Sequence, residues 1–256
     1  MRRLEGVSTH AHGPLSLPAD LPERATARPE TNDLTLMNSP DLAGARFNML
    51  LNQVRAWDVS DERVLDLLAG MPREAFVPPA YRNLAYADLM LPIGHGQVML
   101  APKLEARFLQ ALALQPSDVV LEVGAGSGYM AALMARLAAF VTTVDVVPEL
   151  AESAALTLTE QSVRNVRVET GNAAEGWPDH GPYDAIMISG ALPELPQPFL
   201  ASLKVGGRLV AVVGSRPAMQ AILVTRRSTD DWHREVLFET DVPVLQHVRA
   251  PAAFEF

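Results

Sequence analysis

Residues 119–129 read VVLEVGAGSGY, an apolar run that passes directly into a glycine-rich turn. The first five residues predict a buried strand, and Gly124, Gly126 and Gly128 predict a sharp turn into the helix that follows. Because glycine has no Cβ, such a turn also lets a small ligand approach the backbone closely. Ordinary tight turns use the same residues, so the binding interpretation depends on what surrounds the loop.

On both sides of this turn, apolar segments alternate with helical ones. The predicted strands are 118–123, 141–145, 166–169, 184–189, 208–213, 219–226 and 233–239. Strands that are apolar on both faces and separated by helices form a parallel sheet covered on both sides. Only the short polar turn 228–230 separates the last two strands, which predicts an antiparallel hairpin. We therefore expect a doubly wound, mostly parallel, seven-stranded α/β fold of Rossmann-like type with an antiparallel C-terminal hairpin.

Three regions are predicted along the chain. Five prolines among residues 5–40, with no sustained apolar period, predict a flexible N-terminal tail over residues 1–40. Residues 41–102 are predicted to form an N-terminal helical and loop cap, whose second helix begins at the N-cap Ser60. Residues 103–256 form the predicted ligand-binding core. The apolar face expected on the first cap helix consists of Phe47, Leu50, Leu51, Val54 and Trp57.

The composition of the chain argues against a nucleic-acid-binding, membrane-spanning or metal-binding protein. With 256 residues, a net charge of −9 and a pI near 5.1, the chain does not suit a protein that binds nucleic acid by neutralising phosphates. No stretch approaches the ~18 consecutive apolar residues that cross a bilayer, and Arg2 and Arg3 lack the apolar run of a signal peptide. We expect a cytoplasmic protein with no nucleic-acid or membrane partner. The lack of cysteine and of paired His and carboxylate spacing predicts no metal site.

Polar residues follow the neighbouring strands at the same edge of the predicted sheet. Asp145 ends the strand after the glycine turn, where a carboxylate can accept both hydroxyls of a ribose, and Asn172 with Ala173 follows the third strand. Helix capping by Asp145 and a turn role for Asn172 are the competing interpretations. The spacing E-x-G-x-G-x-G differs from the pyrophosphate-binding G-x-G-x-x-G, which favours S-adenosylmethionine (SAM) over a dinucleotide. The predicted cofactor-binding residues are Glu122, Gly124, Ala125, Gly126, Ser127, Gly128, Asp145, Val146, Asn172 and Ala173.

Several further segments are typical of one enzyme family. They are 61–65 (DERVL), 72–78 (PREAFVP), 85–88 (AYAD), 91–97 (LPIGHGQ), 176–178 (GWP), 182–186 (PYDAI) and 203–209 (LKVGGRL), together with the glycine turn. On these residues the chain resembles the protein-L-isoaspartate O-methyltransferase family from about residue 46 to about residue 244. The segments at 72–78 and 91–97 are the most specific for this family.

The resemblance implies a class I methyltransferase sheet in which the core 103–256 binds SAM as cofactor. It also implies methyl transfer to a carboxylate, that of an isoaspartyl residue in a damaged protein or peptide substrate. A carboxylate is already ionised at pH 7, so in-line positioning in a dry pocket supplies most of the rate. The lack of an evident catalytic histidine or cysteine is therefore no objection to this function.

The loop formed by Gln97, Val98, Met99 and Leu100 occupies the family's active-site segment, yet its sequence departs from the family. After Gly-Gln the family usually reads Thr-Ile-Ser-Gln-Pro, whereas this chain reads V-M-L-A-P. Leu100 replaces a serine regarded as functional and cannot donate a hydrogen bond to a carboxylate, a loss of about 1–3 kcal/mol. Lys103 is a candidate to neutralise the acceptor instead, although such lysines are more often solvated. Catalytic residues are therefore unassigned, and the acceptor is either an isoaspartyl residue or a redirected one.

Two other functions compete with this hypothesis. The first is a non-catalytic SAM-binding regulatory or interaction protein that keeps the fold, and the second is a nicotinamide-dependent oxidoreductase, which the glycine spacing disfavours.

His95 beside the loop is a candidate proton acceptor for an alcohol or amine, but such histidines are more often exposed or bonded to backbone. The segments 171–173 (GNA) and 242–246 (VPVLQ) also depart from the family, and the second predicts a changed substrate wall. The oligomeric state is not predicted.

Overall fold

The computed structural model describes residues 41–248, so the predicted tail 1–40 lies outside the described residues, as does the segment 249–256. The cap begins with helix α1 (Leu42–Met49), which continues as a π-helical turn (Leu50–Val54) and a 3₁₀ turn (Arg55–Trp57). Helix α2 (Glu62–Gly70), two 3₁₀ turns (Arg73–Phe76 and Pro79–Leu84) and a short hairpin of β1 (Leu91–Gly94) and β2 (Gln97–Met99) follow.

The first cap helix differs from its prediction. Phe47 and Leu51, expected on the buried face, are 64% and 51% exposed, while Met49 and Val54 are fully buried. The buried residues are five apart because the chain here forms a π turn, which holds more residues per turn than the α-helix assumed from the apolar spacing. The second helix is capped by Asp61, whose carboxylate accepts from the backbone N–H of Arg63 at 2.9 Å, so the prediction of Ser60 was wrong by one residue.

The core alternates strands and helices as expected. Its elements are α3 (Pro102–Leu112), β3 (Val119–Val123), α4 (Tyr129–Leu137), β4 (Phe140–Asp145), α5 (Pro148–Glu160), β5 (Val166–Thr170), β6 (Tyr183–Leu192), α6 (Gln197–Ala201), β7 (Leu203–Ser215), β8 (Ala218–Ser228) and β9 (Asp231–Glu239). Within residues 41–248 no helix is long and apolar enough to cross a bilayer.

The seven-stranded sheet has the order β5-β4-β3-β6-β7-β8-β9, with β5 and β9 at its edges. The first five strands in this order are parallel, whereas β8 and β9 pair antiparallel, which confirms the predicted fold class. Successive strands run outward from β3 to β5 on one side, and β6 and β7 lie on the other side. Such a reversal of strand order leaves a crevice at the carboxyl ends of the central strands, where ligands bind in open α/β sheets.

Alternate residues of the central strands pack against different layers. On β3, Val120 belongs to the core that contains the cap residues and α4, while its neighbour Leu121 belongs to the core on the other face with Phe199 of α6. Side chains of a strand point to opposite faces in turn, so a strand covered on both faces is apolar at most positions. This explains the nearly continuous apolar run of β3, in which Glu122 is the buried exception.

A buried ion pair joins the cap to the core. Arg73 is 0% exposed and Glu105 of α3 is 2% exposed, and one guanidinium nitrogen of Arg73 donates to the Glu105 carboxylate. The Nε of Arg73 donates to the carbonyl of Ala85 at 2.7 Å, and its other terminal nitrogen donates to the carbonyl of Leu100. The guanidinium carbon also lies 4.9 Å from the ring centroid of Tyr129. One side chain thus connects two cap segments, the end of β2, α3 and α4.

We expect the substitution Arg73→Met to lower the free energy of unfolding by about 3–5 kcal/mol, because it leaves the Glu105 carboxylate buried without its partner. Urea unfolding of the variant and of the native chain measures this difference.

The matched control is Arg216→Met, since Arg216 and Asp241 form an exposed pair with side chains 69% and 53% accessible. Exposed pairs contribute about 0–1 kcal/mol, so this variant is expected to unfold almost like the native chain. Equal losses in the two variants would contradict the structural role given to Arg73.

Candidate active site

Two adjoining cavities lie at the carboxyl ends of β3, β4 and β6. The first has a volume of about 580 Å³ and the second about 380 Å³. They share the lining residues Gln97, Gly124, Asp145 and Leu245, so they form one continuous cleft. The cleft lies at the edge of the sheet where open α/β proteins bind their ligands.

The glycine turn forms one wall of the first cavity. Gly124 and Gly126 both line it, with backbone φ of +94° and +51°. A Cβ at Gly126 would lie 3.1 Å from Cδ1 of Ile93, so a side chain there would strain the backbone and crowd the opposite wall. Ala125 and Ser127 also line the first cavity. Gly128 packs instead against Ala154 of α5, outside the lining of both cavities.

Asp145 lies at the centre of the cleft and lines both cavities. It is 7% exposed; its Oδ2 accepts from the backbone N–H of Gly126 at 2.8 Å, and its Oδ1 accepts from that of Val147 at 3.0 Å. A carboxylate oxygen can accept more than one hydrogen bond, so both oxygens keep acceptor capacity toward the cleft. The helix that follows has Val147 as its N-cap and no side-chain cap hydrogen bond, so Asp145 ties the glycine turn to the strand end and does not cap the helix.

The second cavity lies beyond Asp145. Val146, Asn172 and Ala173 line it, so the structure brings these predicted residues together with Asp145. The Oδ1 of Asn172 accepts from the backbone N–H of Ala174 at 3.0 Å, which is the turn role weighed from the sequence. This cavity is lined mainly by backbone and small apolar side chains, a surface suited to a flat ring.

Glu122 is completely buried and lines the first cavity. Its two carboxylate oxygens accept from the hydroxyls of Thr143 at 2.7 Å and Ser189 at 3.1 Å. Burial raises the pKa of Glu122 from 4.5 to about 8, and these hydrogen bonds offset only part of the effect. The carboxyl group is therefore mostly protonated at neutral pH.

The cleft is acidic overall. Glu105, Glu122 and Asp145 line it, and none of the lining residues in the described part of the chain is a lysine, arginine or histidine. Burial raises the pKa of Glu105 to about 7, against the opposing effect of the Arg73 guanidinium. Because Glu122 is mostly protonated at neutral pH and Glu105 is paired with Arg73, the negative charge free to meet a cationic ligand is that of Asp145.

Residues 97–100, expected as a loop, form β2 and the residue that follows it. We keep the name loop 97–100 for this segment, which covers the cleft together with a C-terminal segment. Gln97, Val98, Met99 and Leu100 all line the first cavity. The C-terminal segment, residues 243–246, is tied to β6 because Ala191 donates to the carbonyl of Pro243 at 2.8 Å and accepts from the N–H of Leu245 at 2.9 Å. We call this segment the strap. Its Leu245 packs so closely on Gly190 that a Cβ there would lie 2.7 Å from Leu245 Cδ2.

Lys103 and His95 lie outside the lining of both cavities. The Lys103 ammonium lies 2.7 Å from Asp88 Oδ2 and 4.2 Å from the ring centroid of Trp57, so it already has partners in the cap. His95 is exposed in the β1–β2 turn, and its carbonyl accepts from the side-chain amide of Gln246 in the strap at 3.4 Å. The contacts of Lys103 oppose its proposed role beside the acceptor.

The lining residues that were missed from the sequence include Glu105, Met130, Ser189 and Gly190. Ser189 and Gly190 lie where the pairing of β6 with β7 is irregular, between Met187 and Ala191. Bulges of this kind are frequent beside active sites. The signal in the sequence was a small polar residue followed by glycine inside an otherwise apolar strand.

Comparisons with known proteins agree on one family. A family model described as protein-L-isoaspartate(D-aspartate) O-methyltransferase (PCMT) matches residues 45–245. Protein-L-isoaspartate O-methyltransferase 1 of Rhodopseudomonas palustris (strain HaA2) is 42% identical over 201 residues, which cover 78% of this chain and 82% of the relative. The corresponding Gloeobacter violaceus enzyme is 44% identical over 180 residues, which cover 70% of this chain and 88% of the relative.

Solved structures give the same result for the fold. A protein-L-isoaspartate O-methyltransferase structure matches with a TM-score of 0.67 and 25% identity, over 78% of this chain and 65% of that chain. This chain thus spans just under two thirds of the length of that protein. A Plasmodium falciparum beta-aspartate methyltransferase (PCMT) in complex with S-adenosyl-L-homocysteine matches with a TM-score of 0.67 and 21% identity, over 78% and 97% of the two chains.

The substitution Glu122→Gln is expected to stabilise the protein increasingly as the pH rises. Since the pKa of Glu122 is about 8 in the folded chain and 4.5 when unfolded, the native carboxyl holds its proton at pH values where the unfolded one has lost it. The contribution of the Glu122 carboxyl to stability is therefore fully present below pH 4.5 and is lost as the pH rises through 8, whereas glutamine does not titrate. Thermal unfolding from pH 5 to pH 9 should show the gap in Tm widen by a few °C, on the order of 1–3 kcal/mol.

Glu152→Gln on the exposed surface of α5 serves as the control, because its carboxyl loses little hydration on folding. This surface substitution is expected to change the free energy of unfolding by less than about 0.5 kcal/mol. A gap for Glu122→Gln that narrows toward pH 9 would contradict the burial argument.

Proposed function

This chain belongs to the protein-L-isoaspartate O-methyltransferase family and is a SAM-dependent methyltransferase, and we propose that it methylates the carboxylate of isoaspartyl residues in proteins or peptides. The observation that carries this proposal is the continuous cleft at the carboxyl edge of the sheet, with Asp145 at its centre and an apolar loop over one end.

The residues of the cleft fit SAM. We propose that Asp145 binds the ribose hydroxyls, while Val146, Asn172 and Ala173 hold the adenine in the second cavity. The first cavity would then hold the methionine part against Glu122 and the turn from Gly124 to Ser127. The bare backbone of Gly126 gives room for close approach, and the Asp145 carboxylate, with the carbonyl and carboxyl oxygens around it, suits a sulfonium cation.

The acceptor would enter the first cavity beneath the loop 97–100. Bound SAM supplies an electrophilic methyl group on a sulfonium centre. Val98, Met99 and Leu100 exclude water from the incoming carboxylate, and the protonated Glu122 avoids repelling it at neutral pH. The Gln97 side-chain amide makes only a long 3.4 Å contact to the carbonyl of His95, so it is available to donate to the acceptor.

The competing functions receive no such support. The relatives and solved structures above are named as methyltransferases, which favours catalysis over a purely regulatory SAM-binding role. The same family membership argues against a nicotinamide-dependent oxidoreductase.

We also propose that the cap 41–102 shapes the acceptor side and the core from residue 103 holds the cofactor. The cytoplasmic location stays a prediction from the sequence.

We expect the purified protein to transfer labelled methyl groups from SAM to an isoaspartyl peptide at least roughly tenfold faster than to the same peptide with a normal aspartyl residue, because the cleft positions one carboxylate geometry. Scintillation counting of the peptide measures the rate, and calorimetry measures SAM binding separately. Tight SAM binding without any transfer to the isoaspartyl peptide would refute the assignment of the acceptor.

The substitution Leu100→Ser is expected to raise kcat/KM for the isoaspartyl peptide by roughly tenfold or more, since a hydroxyl gives the acceptor carboxylate a donor worth about 1–3 kcal/mol. Steady-state kinetics with varied peptide measures this change. Leu84→Ser, at an exposed leucine outside the cleft, is the control and should leave kcat/KM unchanged. A decrease at position 100 with normal folding would show that the apolar wall itself serves the reaction.

A further inference from the structure

A third cavity of about 750 Å³ continues from the active-site cleft along α5. It shares Ile93, Gly126 and Ser127 with the first cavity, so the two are continuous. One wall consists of residues 75–79 with Arg82, and the other consists of one face of α5. We call this cavity the α5 groove. The other side of the first cavity is covered by the strap, so the groove is the direction in which a longer acceptor can extend.

The two walls have the form of a channel for extended polypeptide. Val77 and Pro78 have extended backbone, with φ and ψ of −99° and 135° and of −52° and 143°, and the consecutive prolines 78 and 79 fix this shape. The opposite wall presents the small side chains Ser153 and Thr157. From Leu150 to Glu160 the helix is ~15 Å long, which corresponds to about four or five residues of extended chain.

The charges of the groove suit a peptide of mixed composition. Arg82 and Glu160 lie on opposite walls, both are exposed, and neither has an ion-pair partner among the described residues. A polyanion would meet the carboxylate of Glu160 with only one cation to neutralise its phosphates, which disfavours nucleic acid here. One positive and one negative side chain on opposite walls instead suit a polypeptide, because its backbone offers both hydrogen-bond donors and acceptors and its side chains carry charges of both signs.

We propose that the α5 groove binds the residues on one side of the methyl acceptor in a polypeptide substrate. This inference rests on the proposed isoaspartyl activity. An isoaspartyl residue inside a protein has chain on both sides, so the enzyme must accommodate at least one flank while the acceptor reaches the first cavity. The residues at the junction, Ile93 and Ser127, lie between the two spaces.

The test compares two acceptors with the native enzyme and the variant Ser153→Trp, whose indole fills the groove. One acceptor is a peptide of about nine residues with a central isoaspartyl residue, long enough to occupy the groove, and the other is N-acetyl-isoaspartyl amide, which has no flanks. We expect Ser153→Trp to raise KM for the peptide by roughly tenfold, while KM for the short acceptor and the affinity for SAM stay unchanged. Thr159→Trp, on the exposed part of α5 outside the groove, is the matched control.

A second variant, Arg82→Glu, changes an exposed side chain and leaves the core intact. It should raise KM roughly fivefold for a peptide with acidic flanks and leave KM for a peptide with neutral flanks unchanged. If both groove variants match Thr159→Trp on every acceptor, the groove proposal is wrong and the methyltransferase activity stands. If the native enzyme methylates neither acceptor, the proposed acceptor is wrong and the groove proposal falls with it.

Discussion

The buried ion pair between Arg73 and Glu105 is the contact on which the geometry of the cleft depends. A guanidinium removed from water must have its donors satisfied, so the positions of Ala85, Leu100 and the Glu105 carboxylate are set together. Leu100 belongs to the loop over the acceptor side, and Glu105 itself lines the first cavity. The same interaction therefore attaches the cap to the core and holds one wall of the active site in place.

The acidity of the cleft follows from this arrangement and from the ends of the strands. Asp145 stays in contact with the glycine turn, while Glu122 lies deeper and keeps its proton at neutral pH because burial raises its pKa. One acid thus provides charge and hydrogen-bond acceptors for a cofactor, and its neighbour avoids repelling an anionic acceptor. Lys103, three residues after Leu100, forms an ion pair with Asp88 and lies over the ring of Trp57. Its positive charge is therefore not available to neutralise the acids of the cleft.

The strands and the cofactor side of the site could be predicted because their signals are local. Strands covered on both faces are apolar at most positions, and Asp145 is placed by the parallel pairing of β3 with β4. The acceptor side was less predictable, because it depends on contacts between distant residues. Arg73 and Glu105 are 32 positions apart, and the π turn after α1 follows from packing that helical spacing does not encode. Ser189 and Gly190 line the site only because β6 bulges there.

Among the described residues 41–248, the C-terminal hairpin places β9 at an edge of the sheet, where its outer backbone groups could pair with a strand of another molecule. The sequence of this strand opposes such pairing, since His233, Arg234 and Glu235 are consecutive, exposed and polar beside the exposed Val236. Charged residues on an edge strand oppose its pairing with the same strand of another molecule during folding, when the edge is most accessible, because the charges would have to leave water. The hairpin thus carries its own protection against aggregation.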